Sequence, residues 1–216
     1  MSHFRLATAL AFTLFPLAAA HTRAADEITV SKSENITKTG PRAGDNGSRY
    51  FNIQGKNSGE DGKFACFGVL DFEVAKPEAS AKPVTIKAAK LTLTQSVARF
   101  SKEGKIKFFV TDDLKTDTAT LKFDPAGAES LGSQLQPRRP LGGASFKADA
   151  TGHVDTFTLE LDDATKAALK HLKEVGGKLR IVVVPADADV AATYFGAGQT
   201  TESHRPRLSL EVEAAP

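Results

Sequence analysis

The side chains able to do chemistry in this chain are few, and they point to recognition rather than reaction. Surfaces that hold sugars combine aromatic faces with polar groups that hydrogen-bond to hydroxyls. Tyr50 beside Asn52, and Tyr194 beside Phe195 and Gly196, offer that combination. The compact basic pair Arg138-Arg139, set between Pro137 and Pro140, belongs either to a ligand surface or to a solvated loop. A hard cation such as Ca²⁺ wants several oxygen ligands, which Asp- and Asn-rich turns supply. Asp45 with Asn46, and Asp112, Asp113 and Asp117, are the candidate donors for a structural Ca²⁺. None of them has the ordered spacing of a known calcium loop, so solvated turn carboxylates are the competing reading.

A catalytic set is not legible. His21, His153, His171 and His204 include no His-x-x-x-His pair of the kind that binds zinc. Cys66 lies in an alternating apolar run with Phe64, Leu70 and Phe72, which predicts a buried thiol rather than a nucleophile. The chain contains neither a Gly-x-Ser-x-Gly elbow nor a Gly-rich phosphate loop. Acids are plentiful, but spacing does not show which two would converge for glycoside hydrolysis.

The elements that must position these residues are strands. Apolar residues recur two apart, and such residues share one face of a strand. Ile28 and Val30, Phe51 and Ile53, and the run from Phe64 to Val74 follow this rule. So do Val84 with Ile86, Leu91 with Leu93, the set Ile106, Phe108 and Val110, and Leu121 with Phe123. Phe157 to Leu161, Leu179 to Val183, and Leu208 to Val212 complete the pattern. Turn clusters such as Gly44-Asp45-Asn46-Gly47 and Gly55-Lys56-Asn57-Ser58-Gly59 separate them, as in a sandwich or barrel.

One segment has helical spacing instead. Ala168, Leu169, Leu172 and Val175 form an apolar stripe, with Asp162 or Asp163 placed to cap its start and Gly176-Gly177 to end it. This predicts a short inserted helix over about 163–175, packed across an open end or edge of the sandwich. From 124 to 152 the pattern weakens into Pro, Gly, Ser and Gln, with Phe146 as anchor, and predicts an irregular loop.

The N-terminus reads as an export signal: Arg5, an apolar stretch from Leu6 to Leu17, then Ala18-Ala19-Ala20. Cleavage after Ala20, or at a second site as far as residue 25, leaves a single domain over 26–214. The stretch is shorter than the roughly 20 apolar residues of a spanning helix, and no later run approaches that, so membrane insertion is not expected. Cys66 is the lone cysteine, so no internal disulfide forms and the core must carry stability by itself. With 28 basic and 26 acidic side chains the charge is nearly balanced, which argues against a nucleic-acid partner.

The order Tyr50-Phe51-Asn52-Ile53-Gln54-Gly55, Phe67-Gly68-Val69-Leu70-Asp71-Phe72, Ala88-Ala89-Lys90-Leu91-Thr92-Leu93 and Arg205-Pro206-Arg207-Leu208 resembles the bacterial secreted DNRLRE-type domains. That resemblance covers most of the chain after the leader. It implies an all-β, antiparallel β-sandwich of jelly-roll type, related to carbohydrate-binding modules. The resulting expectation is a non-catalytic module, exported to the periplasm or outside the cell, that binds polysaccharide or a cell-surface component. A structural assembly domain without a small ligand is the alternative, and a polysaccharide-degrading enzyme ranks third.

Overall fold

The computed structural model describes residues 26–77, 83–111, 114–124 and 134–214; the expected leader and its cleavage region lie outside them. The strands are β1 (Asp26–Thr37), β2 (Gly40–Pro41), β3 (Tyr50–Gln54), β4 (Cys66–Val74), β5 (Val84–Thr94) and β6 (Gly104–Thr111). They continue as β7 (Arg138–Phe146), β8 (Val154–Leu159), β9 (Gly177–Pro185), β10 (Ala191–Phe195) and β11 (Arg207–Ala214). A four-residue turn of helix, α1 (Asp45–Ser48), precedes β3, and α2 (Asp163–Val175) joins β8 to β9.

Pairing runs in the order β7-β6-β9-β4-β1-β11-β5-β8, all antiparallel where the register is given. Two four-stranded sheets result, β1-β11-β5-β8 and β4-β9-β6-β7, which is the jelly-roll arrangement. β1 belongs to both. Its first residues pair with β11, a bulge between Val30 and Lys32 breaks the register, and its second half pairs with β4. The local twist of a bulge lets one strand turn the corner between sheets. The far edges also approach, with the Glu160 N–H donating to the Leu141 carbonyl at 3.0 Å, so the sandwich is nearly closed.

The period-two pattern places Leu208, Leu210, Leu91, Leu93 and Phe157 of one sheet against Leu70, Phe72, Ile106, Phe108 and Ile181 of the other. Phe108 and Phe157 meet across the interior with ring centroids 5.1 Å apart. Each such large side chain taken out of water contributes roughly 1.5–3 kcal/mol. Both open ends are plugged. At one, α2 lays Thr165 and Leu169 over Leu159, Val110 and Leu179. At the other, β3 and β10 form a two-stranded ribbon that turns Phe51, Ile53, Ala192 and Tyr194 inward, all fully buried.

The helix follows its sequence signals. Asp162 accepts the Thr165 N–H at 2.7 Å, and Gly176 closes the last turn at φ 77° with its N–H on the Leu172 carbonyl. Hydrogen bonding from Thr165 holds the Asp162 carboxyl below its usual range. A depressed carboxylate pKa stabilises above the unfolded-state value near ~3.9, and that contribution is lost as pH falls through the native value. Asp162→Ala is therefore expected to unfold more easily than the parent at neutral pH. In thermal melts across an acid pH series, the gap should narrow below the unfolded-state pKa.

Three expectations are corrected. The stretch predicted as an irregular loop contains β7, which starts at Arg138, so the Arg138-Arg139 pair sits on a strand and not in a loop. Phe146 is the buried anchor expected. Leu121 and Phe123 form no strand; they lie in an extended strip that covers the outer face of β4 and β9. There Phe67, Val69, Val182 and Val184 pack under Leu121, Phe123 and Leu135, with Phe67 and Phe123 edge to face at 5.9 Å. Phe64, finally, is not a core residue: it precedes β4 and is 47% exposed.

Candidate functional site

The ribbon that plugs one end of the sandwich has a second face. Because Phe51 and Ile53 turn inward, alternation sends Tyr50, Asn52 and Gln54 outward, and on β10 it sends Ala191 and Thr193 outward beside them. This outer face is the floor of a groove of about 1150 Å³. Buried Asn35 fixes the floor from below, accepting the Asn52 N–H at 2.6 Å and donating to the Tyr50 carbonyl at 2.8 Å.

Cys66 supports it too, its thiol donating to the Asn52 carbonyl at 3.4 Å. Burial pushes this thiol up to about 12, with the charge of nearby Arg42 opposing only in part. At pH 8 about one thiol in ten thousand would be ionised, and the thiolate is the reactive form. Iodoacetamide should leave Cys66 unmodified in the folded protein and alkylate it in urea; labelling of the folded chain at a free-thiol rate would contradict this placement.

Two walls flank the ribbon. On the β4 side, the turn Glu60–Gly62 leads to Lys63 and Phe64, with the ammonium 5.3 Å from the ring centroid. Gly59 is at φ 74°, ψ 173°, a region open essentially to glycine alone. A Cβ there would lie 2.5 Å from the Phe64 ring, so the bare glycine lets the ring lean into place. On the β10 side, the turn Ala98–Phe100 presents Arg99 with its guanidinium 4.6 Å from the Phe100 centroid, and Phe100 is 59% exposed. Each wall is thus a cation beside an exposed phenyl ring, within the ~6 Å over which the two attract.

Among the described lining residues the carboxylate is Asp189, which accepts from Asn57 at 3.1 Å and from Lys102 at 3.3 Å. Those two donors, Asn57 first, keep its carboxyl below the ordinary range. A polar floor between two exposed rings can hydrogen-bond hydroxyls while apolar ring faces of a ligand pack against phenylalanine.

Of the residues picked out by sequence, Tyr50 and Asn52 line this groove. Tyr194 does not, although it is a neighbour in sequence and sheet. It is fully buried, packs edge to face on Phe146 at 5.7 Å, and donates its hydroxyl to Asp155 at 3.0 Å. Burial first, and the Asp155 charge second, raise its pKa far above that of a free phenol. It is a core residue, and a sugar has no access to it.

Arg138 and Arg139 pair with Thr111 and Val110 on the β6 edge and are not among the groove's lining. The Arg138 guanidinium instead covers Phe109 at 5.4 Å. Asp117 caps the turn Thr118–Thr120, accepting the Ala119 N–H at 3.0 Å. Asp45 and Asn46 contribute backbone to α1, while their side chains lie outside the described set, as do Asp112 and Asp113 altogether. Among the described residues no three His, Cys, Asp or Glu side chains gather as a metal site would require.

Phe64, Phe100, Arg42 and Arg99 were missed by sequence reasoning. A cation followed by phenylalanine occurs at Lys63-Phe64 and Arg99-Phe100, but also at Lys107-Phe108 and Lys122-Phe123, whose rings are buried, so that dipeptide alone does not single out the walls. No protein-family model matches this chain, and comparison with curated proteins gives no match.

Proposed function

We propose that this protein is a non-catalytic, exported polysaccharide-binding module whose ligand lies in the groove on the β3–β10 ribbon. The observation that carries the reading is the pair of exposed rings, Phe64 and Phe100, lining one groove with Tyr50, Asn52, Gln54 and Thr193. Single exposed apolar residues are ordinary, but two that line one concave groove together with polar side chains fit the make-up of a ligand site. Hydrolysis of a glycan commonly uses two carboxylates, whereas the described lining offers Asp189, already engaged by Asn57 and Lys102. The resemblance to DNRLRE-type domains and the export-like leader favour the same role outside the cytoplasm.

The test is affinity electrophoresis of the protein through gels containing soluble polysaccharides, with pull-down on insoluble ones and assay of reducing ends. Each is run with Ca²⁺ and with chelator, so that a structural ion reveals itself. Saturable retardation without released product is expected. Absence of binding to every glycan would overturn the reading in favour of an assembly domain, and steady release of reducing ends would make the protein an enzyme.

A further inference from the structure

The groove's charge is out of proportion to that of the chain. Among the described residues its lining holds four cations, Arg42, Lys63, Arg99 and Lys102, and one carboxylate, Asp189, a formal net of +3. The whole chain carries +2, so the groove concentrates more positive charge than the entire protein has to spare. A concave surface lined by one sign focuses its field on a ligand of the opposite sign.

The partners of these cations decide how much of that charge is open to a ligand. Lys102 is committed to Asp189. Lys63 lies 3.8 Å from Glu60, whose side chain is 85% exposed, an arrangement that water largely screens. Arg99 stacks on Phe100, which leaves the edge of its guanidinium free to donate. Arg42 has no acidic partner within ion-pair distance among the described residues. Both arginines therefore offer the planar fork that matches a carboxylate or sulfate in two parallel hydrogen bonds. On each wall a cation and a ring stand side by side, so one sugar unit can place its ring on phenylalanine and its acidic substituent on the adjacent charge.

We infer that the ligand of this groove is an acidic polysaccharide, one whose sugar units carry carboxylate or sulfate groups, bound through Arg42, Arg99 and Lys63 beside the two phenylalanines. The inference rests on the polysaccharide reading above, and matched polymers separate the two. Polygalacturonate is compared with its methyl-esterified form, and dextran sulfate with dextran, so that backbone is constant and charge alone changes; oligothymidylate serves as a non-glycan polyanion.

The protein should bind the charged member of at least one pair about tenfold or more tighter than the neutral one. It should lose most of that preference between ~50 and ~500 mM NaCl, as the Debye length shrinks to a few ångströms. Which pair responds tells carboxylate from sulfate. The Arg42→Gln, Arg99→Gln double variant, which keeps Lys63, should lose most of the preference for the charged member, and the wild-type salt series carries the test should that variant fail to fold. Equal binding of charged and neutral glycans would overturn the charge assignment and leave the polysaccharide reading standing. Binding to neither charged polymer would overturn the charge assignment, and tighter binding to oligothymidylate than to any of the glycans would overturn both readings.

Discussion

Arg180→Met is expected to lower the unfolding free energy by about 3–5 kcal/mol, the range for breaking a buried ion pair from one side. Arg180 and Asp71 face each other across the β9–β4 pairing and form a two-pronged contact, Nε to Oδ1 at 2.7 Å and Nη2 to Oδ2 at 2.9 Å. Their side chains are 6% and 14% exposed. The same guanidinium donates through Nη1 to the Thr116 carbonyl at 3.0 Å, so it also ties down the strip that covers Phe67 and Val182. Methionine fills similar volume but leaves a carboxylate in a place that water hardly reaches, and the strip loses its tether.

The double change Asp71→Leu, Arg180→Met removes the orphaned charge together with its partner. Its cost should be smaller than that of Arg180→Met alone, because the surrounding face is already apolar through Val69 and Val182. Urea unfolding followed by far-UV circular dichroism measures both. A loss below about 1 kcal/mol for Arg180→Met would show that the pair is solvated and that the strip holds by other contacts.

How far such features are legible before folding depends on whether their cause is local. The strands Ile106–Val110, Leu179–Val183 and Leu208–Val212 were readable because one face of each meets the core, and period two follows directly. The helix was readable because its cap and its closing glycine are neighbours in sequence. β7 was hidden by Pro140, Gly142 and Gly143, which weaken the pattern. It tolerates them because it is the edge of its sheet, where a missing N–H costs little, and because the pairing with β6 slips between Lys107 and Phe109.

The site divides in the same way. Tyr50 and Asn52 alternate with buried Phe51 and Ile53, so their outward placement is local information. Tyr194 obeys the same rule with the opposite result, since it shares parity with buried Ala192 and leaves Thr193 to face the groove. Phe64 shares parity with Cys66, yet β4 begins at Cys66, and alternation carries no meaning across the preceding turn. The walls come together only because β3 pairs with β10, two strands remote in sequence, while the chain before β6 folds alongside them through the Lys102 and Ala191 bridge. No spacing rule records that meeting.

The double change Phe64→Ala, Phe100→Ala should weaken polysaccharide binding about 30-fold while leaving the unfolding midpoint almost unchanged. Full burial of a phenylalanine is worth roughly 1.5–3 kcal/mol. Because these residues are still 47% and 59% exposed, about half of that remains for a ligand to gain. That is about 1 kcal/mol per ring, or about fivefold for each single variant. The rings stand on opposite walls, on separate turns, so their contributions should add. The same exposure explains the small effect on folding: each ring packs mainly on its own cation and, for Phe64, on Gly59. Isothermal titration with the best polysaccharide from the binding screen, beside thermal melts of each variant, measures both quantities. If affinity survives the double change while the melts coincide, the ligand does not use these walls and the site must be sought elsewhere on the sandwich. If the singles add up to the double, a sugar unit rests on each ring independently, and the ligand must be long enough to span the ribbon from one wall to the other.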